Sequence, residues 1–191
     1  MLCLKNNTNP SWIEAVKNNL LVTISDHAHC EKKAANTGMV LLNKYPDKTD
    51  LGYAMCELIE EEIGHYRSVL QILEQMGHQL SRDTGDPYAK ELFTIVRKNE
   101  PERFLDHLLV AGIIEARSCE RLQILAENID DTNLRKFYKD LADTEAGHYV
   151  TFTNIARNYF DKETVKARLD EMTDFEANII SNLTNEPTMH G

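Results

Sequence analysis

Breakers are scarce in this chain. Its 191 residues include 5 prolines and 8 glycines, and most of these stand near the ends or in short connectors. Sparse breakers between long periodic stretches favour an all-helical fold. No run of about 18 apolar residues occurs, so no membrane partner or span is expected. The first residues, Met1 to Asn9, lack the apolar core of a signal peptide. The four cysteines (Cys3, Cys30, Cys56, Cys119) show no CxxC spacing, which argues against a zinc knuckle and a disulfide framework. Reduced thiols in a cytoplasmic protein are the expectation. Basic residues are outnumbered, 21 against 31 acidic, and the net charge of -10 argues against a protein that coats nucleic acid nonspecifically.

What is present suits one domain over 1–191, with a polar C-terminal tail from about residue 182. A helix start falls at Asn9-Pro10-Ser11, with Glu14 in capping-box register to Ser11. A first long helix follows, with room for one break, and Pro46 stops it after Tyr45. A second spans Thr49 to Met76 and ends at Gly77. After a polar connector comes a shorter helix from Tyr88 to Lys98. The third long helix begins after Pro101 and reaches Glu127, the fourth spans Thr132 to Tyr159, and a last helix covers Glu163 to Ile180. Four long helices with an extended crossover and one or two extra helices describe a ferritin-like four-helix bundle.

The apolar stripes of the four long helices each carry a carboxylate in the middle: Glu31, Glu62, Glu115 and Glu145. The second and fourth stripes add a histidine three residues later, in Glu62-Ile63-Gly64-His65 and Glu145-Ala146-Gly147-His148. Glu31 precedes Glu62 by 31 residues and Glu115 precedes Glu145 by 30, which suits a climb along one helix and a descent along its antiparallel neighbour. Buried carboxylates without a counter-charge cost several kcal/mol each, so a cation is expected between them. Four carboxylates and two imidazoles match the dinuclear carboxylate arrangement, and a donor set without thiolate favours iron or manganese over zinc. A lone ExxH in a charged helix is usually a solvated pair; two of them, each with a stripe-centred Glu upstream, reverse that reading.

Glu120 competes with Glu115 for the third helix, because Cys119-Glu120-Arg121 mirrors Cys30-Glu31-Lys32. It lies roughly 140° around the helix from Glu115, so both cannot serve one centre. Glu115 is preferred, with Glu120 as an ion-pair partner or a neighbour of the ligands. His27, one turn before Glu31, is expected in the core beside the ligands, and Arg117, Tyr66 and Tyr149 are candidates for the same surroundings. His29 and His78 are read as surface residues, and Cys30 and Cys119 as small apolar side chains.

The segments Asp26-His27-Ala28-His29-Cys30-Glu31-Lys32-Lys33-Ala34-Ala35, Ile114-Glu115-Ala116-Arg117-Ser118-Cys119-Glu120-Arg121 and Thr144-Glu145-Ala146-Gly147-His148-Tyr149 resemble the tRNA 2-methylthio-isopentenyladenosine hydroxylase family. The resemblance extends from Trp12 to His190-Gly191. It implies a ferritin-like monooxygenase that uses two iron ions and dioxygen to hydroxylate the isopentenyl group of the modified adenosine beside the tRNA anticodon. Carried over by motif, the metal ligands fall on Glu31, Glu62, His65, Glu115, Glu145 and His148. No flavin, haem or iron–sulfur motif is visible, so an external electron donor, a reductase or ferredoxin, is expected. The partners are then tRNA and that donor, for a monomer or small homo-oligomer. Candidate tRNA contacts are Lys32, Lys33, Arg67, Arg103 and Arg121, with Arg97, Lys98 and Arg117 as further basic positions. The alternatives are a di-iron oxygenase of another small substrate and a ferroxidase or iron-storage protein.

Overall fold

Interruptions of the periodic pattern decide where each helix ends. The computed structural model describes residues 2–191, and its elements are α1 (Ser11–Asn18), α2 (Leu20–Lys44), α3 (Thr49–Gln75), α4 (Pro87–Leu92), α5 (Glu102–Asn128), α6 (Thr132–Tyr159) and α7 (Lys162–Asn182), with a 3-10 turn at Phe93–Ile95. No strand occurs among the described residues. The first long segment breaks at Asn19, whose φ of -140° lies outside the helical region. The start of α1 is held differently from the expected capping box. The Asn9 side chain accepts hydrogen bonds from the Ser11 backbone N–H and hydroxyl, while Glu14 faces solvent. The crossover helix is also shorter than its pattern suggests, because Val96 turns extended (ψ 123°) and ends it before Lys98.

The chain divides into two compact units. One comprises residues 18–85 with 187–189 and is built on the α2–α3 hairpin. The two helices run antiparallel, since Gly38 meets Ile59 and Glu31 meets His65. Gly38 permits the close approach: a Cβ there would lie 2.7 Å from Ile59 Cγ1. Gly77, at φ +75°, closes α3 as the sequence suggested, with the His78 N–H bonded to the Leu73 carbonyl. The connector after α3 returns along α2. Ser81 N–H donates to Ser25 Oγ at 2.8 Å, His29 Nε2 lies 2.9 Å from the Ser81 carbonyl, and Lys33 Nζ donates to Asp83. His29 is therefore 5% exposed and not on the surface as its position off the stripe implied.

The other unit comprises residues up to 17, 86–186 and 190–191. Its centre is the antiparallel α5–α6 hairpin, in which Gly112 faces Phe152 and Tyr149. Aspartates cap three of its helices: Asp86 accepts from Ala89 N–H, Asp131 from Leu134 N–H, and Asp161 from Thr164 N–H and hydroxyl. Two buried polar networks tie the unit together. Arg117, fully buried, donates to Glu176, to Glu120 and to the Asn6 carbonyl. Glu120 in turn accepts from the Thr8 N–H and hydroxyl, which fixes the N-terminal segment on α5. In the second network the fully buried Asp106 accepts from Arg97 and Arg168 at 2.7–2.9 Å. The tail after α7 is less polar in setting than in composition, with Met189 and His190 both buried.

Burial raises the Asp106 carboxyl pKa, but its bonds from Arg97 and Arg168 outweigh this and hold it below the usual carboxylate range. A folded pKa below the unfolded value of about 3.9 contributes stability above that pH, and the contribution disappears as pH falls through the folded pKa. Asp106→Asn is expected to lose about 3–5 kcal/mol in urea unfolding at pH 7, because Arg168 stays buried without its counter-charge. The difference from wild type should shrink as the pH of the same experiment is lowered below about 4.

Candidate metal centre

A carboxylate on the inner stripe of a long helix is buried by the fold whether or not it is compensated. Glu31 is 4% exposed on α2 and Glu62 fully buried on α3; Glu115 is 5% and Glu145 2% exposed on α5 and α6. In the α2–α3 hairpin, donor atoms of Glu31, Glu62 and His65 all lie within 4.8 Å of one another. His65 Nδ1 is 3.4 Å from a Glu31 oxygen and 3.6 Å from a Glu62 oxygen. The other Glu31 oxygen faces His27 Nε2, one turn earlier on α2, and His27 is 2% exposed. Burial lowers the His65 pKa, but Glu31 and Glu62 outweigh it and push it up to about 10. The electrostatics of this triad thus demand positive charge, which a proton on His65 supplies in part.

The α5–α6 hairpin holds the matching triad. Donor atoms of Glu115, Glu145 and His148 lie within 4.8 Å of one another, with His148 Nδ1 3.1 Å from a Glu145 oxygen. The i, i+3 spacing of each Glu-x-x-His is what puts both donors on one helical face. Each triad offers two carboxylates and one imidazole, a hard, oxygen-rich donor set suited to iron or manganese. The residues present therefore fit a divalent cation in each triad.

Glu120 stands apart from the Glu115 triad, bound to Thr8 and Arg117, which agrees with the ion-pair role expected of it. Arg117 belongs to that network and not to the surroundings of the ligands. Tyr149 is half-buried beside Gly112. Burial and the neighbouring Cys3 push the Tyr149 hydroxyl up to about 12, while burial pushes the Cys3 thiol up to about 11 against the hydrogen bond with Tyr149, which lowers it. Tyr66 is half-buried on α3.

Of the basic residues assigned to tRNA, Lys32 and Lys33 reach the surface beside Asp83, Arg103 pairs with Glu100, and Arg67 is exposed. Arg121 must be removed from that group. It is 2% exposed, donates to Thr8 Oγ1 and the Gly191 carbonyl, and lies 4.6 Å from the Trp12 ring. Arg117, with no exposed surface, is excluded for the same reason. Sequence reading also missed Glu176, the buried partner of Arg117, although it interrupts the stripe Met172, Thr173, Ala177, Ile180 as Glu115 interrupts its own.

Comparison with known proteins places these residues in context. The family model described as tRNA-(MS2IO6A)-hydroxylase (MiaE) matches residues 1–191. A curated protein from Pseudomonas putida, named tRNA 2-(methylsulfanyl)-N(6)-isopentenyladenosine(37) hydroxylase, is 34% identical over 183 residues, covering 96% of this chain and 89% of its own length. A protein of the same name from Salmonella typhimurium is 28% identical, over 96% of this chain and 85% of its own. Among solved structures, "Protein 43 with aldehyde deformylating oxygenase activity" from Synechococcus superposes with a TM-score of 0.95. It is 34% identical, and the match covers all of this chain and 96% of that one. The fold is accordingly the ferritin-like all-helical one expected from the sequence.

The burial pattern separates structural from surface arginine and lysine by experiment. Arg121→Ala should lower stability by about 3 kcal/mol, because Glu120 and Thr8 lose a buried neighbour and the space over Trp12 empties. Lys32→Ala and Arg67→Ala should stay within about 0.5 kcal/mol of wild type in the same urea unfolding series.

Proposed function

Because the chain belongs to the tRNA-(MS2IO6A)-hydroxylase (MiaE) family, we propose that it hydroxylates the isopentenyl side chain of 2-methylthio-isopentenyladenosine next to the tRNA anticodon, in a dioxygen-dependent reaction at two iron ions. The ligands are Glu31, Glu62, His65, Glu115, Glu145 and His148. The observation that carries this reading is the pair of matched triads with buried carboxylates, each a Glu from one helix and a Glu-x-x-His from its hairpin partner. Bound ferrous iron would supply the reductive activation of dioxygen and the oxidising power to replace a C–H bond by C–OH. The balance requires two electrons and two protons per dioxygen, one oxygen atom going to the alcohol and the other to water, so an external reductase or ferredoxin delivers the electrons.

The chain's own residues perform the rest. His27 holds one oxygen of Glu31 and leaves the other toward His65. Burial of all four carboxylates keeps bulk water from the reacting centre. Lys32, Lys33, Arg67 and Arg103 contact phosphates of the anticodon arm, and the target base leaves its stack to reach a buried centre. A second substrate class is favoured by one observation, the aldehyde deformylating oxygenase activity named for the Synechococcus structure.

Two experiments test the reading. Anaerobic titration of the metal-free chain should reach two ferrous ions, and addition of reductant, oxygen and prenylated tRNA should add the mass of one oxygen atom to the modified nucleoside. Iron uptake with turnover of an aldehyde and none of tRNA would move the function to the second class, while uptake into a many-subunit shell would indicate storage. The sign of a stability change offers the other check. In chelator, Glu62→Gln should stabilise by about 1 kcal/mol by removing one of two neighbouring buried charges. With excess ferrous ion the order should reverse, because only the wild type gains the full binding contribution.

A further inference from the structure

Helix α3 carries a glycine that its packing does not require. A Cβ at Gly38 or Gly112 would meet a neighbouring helix, at 2.7 Å and 3.5 Å, whereas a Cβ at Gly64 would meet nothing within 4 Å. The residue sits in the middle of a 27-residue helix without a positive φ, so no backbone conformation demands glycine either. Glycine there weakens the helix relative to alanine and opens its backbone to water. A second feature loosens the same turn: the Ser68 hydroxyl donates to the Gly64 carbonyl at 3.0 Å, competing with the backbone N–H of its own residue for that oxygen. Back-bonding of this kind to the carbonyl four residues earlier, together with a nearby glycine, is a recognised source of helix bending.

The position of this soft turn is what gives it meaning. His65 follows Gly64 directly, and its side chain is 17% exposed, against 5% for Glu31 and none for Glu62. The histidine is thus the outermost member of the α2–α3 triad, with the exposed Ile63 and Arg67 on the solvent side of the same turn. Glu31 and Glu62 are 4% and 0% exposed, so a local opening eases the passage of a cation to them, and such openings occur where backbone hydrogen bonds are weakest.

We infer that the α3 turn Gly64–Ser68 is the route by which a divalent cation reaches Glu31 and Glu62, His65 swinging outward as the turn loosens and returning to ligate the ion. The inference rests on the metal reading proposed above but not on the substrate. Gly64 and Ser68 are positioning residues in this scheme, since neither supplies a ligand atom.

The test uses cobalt(II) and the metal-free chain, with loading followed by visible absorbance in a stopped-flow instrument and backbone opening by amide hydrogen exchange. Gly64→Ala should raise the melting temperature by about 2–4 °C. It should slow exchange of the 64–68 amides and cobalt loading together by about fivefold, the factor by which the Gly-to-Ala helix preference shifts an open population. The final stoichiometry should not change. Gly147→Ala, at the equivalent place before the buried His148, should also raise the melting temperature and leave the loading rate at the wild-type value. Loading at the wild-type rate in Gly64→Ala, despite slower amide exchange, would overturn the route. A lower melting temperature would show that Gly64 serves packing and would overturn it too. A wild-type chain that takes up no cobalt would defeat the metal centre itself, a result separable from unequal or equal rates in a chain that does.

Discussion

Carboxylates buried in pairs are the constraint from which the rest of the structure follows. Each long hairpin places two glutamates where its pattern otherwise puts leucine or alanine: Glu31 with Glu62, and Glu115 with Glu145. Two negative charges a few ångströms apart in a poorly polarisable interior repel strongly, and only a rigid surrounding can hold them together. The helices supply that rigidity through length, through close approach at Gly38 and Gly112, and through hairpin loops too short to let the register slip.

The chain answers its buried and half-buried acids in two chemically different ways. Asp106, Glu120 and Glu176 receive guanidinium groups, in bonds of 2.7–2.9 Å to Arg97, Arg168 and Arg117. These are permanently charged, planar donors that satisfy a carboxylate outright. Glu31, Glu62 and Glu145 instead have imidazoles beside them, at 3.1–3.6 Å where His65 and His148 are concerned. An imidazole can carry a proton or give it up and bind a metal, so it leaves the charge of the site adjustable. The contrast within one molecule makes the triads more than a collection of buried acids: the chain has arginine enough to close such sites and has used it elsewhere.

What the sequence made legible was whatever repeats along a single helix. The glutamates stood out because they interrupt apolar stripes, and Gly77 and Pro46 because they end helices by local geometry. Arg121, His29 and Glu176 were misread or missed because their partners lie far away in the chain. Glu120 meets Thr8 across 112 residues, and Arg117 meets Glu176 across 59. Nothing in the period of α5 says that a segment near the N-terminus will cover it. Arg117 and Arg121 do stand one turn apart on a common face, a signal that could have suggested burial in place of a basic surface. The shortened crossover helix has a similar origin, since the end at Val96 coincides with Arg97 turning its N–H and guanidinium to Asp106 on a later helix.

The inward-facing arginines also remove basic residues from any surface that binds RNA. Of 21 basic residues, Arg117, Arg121 and Arg168 point inward, and Arg97 is held by Asp106. Six acids are buried as well, Asp106, Glu176 and the four stripe glutamates, so the surface stays acidic, though no more so than the net charge of -10 implies. Broad neutralisation of phosphates, which makes nucleic-acid binding tight and steeply salt-dependent, is not open to such a surface. On the substrate proposed here, discrimination has to rest on the modified base itself, its apolar prenyl and methylthio groups and its exposure in a single-stranded loop, with a few cations fixing orientation. Weak phosphate contact then has a functional consequence. A surface that holds the anticodon arm loosely releases the product once the prenyl group has become polar and its apolar contacts have weakened.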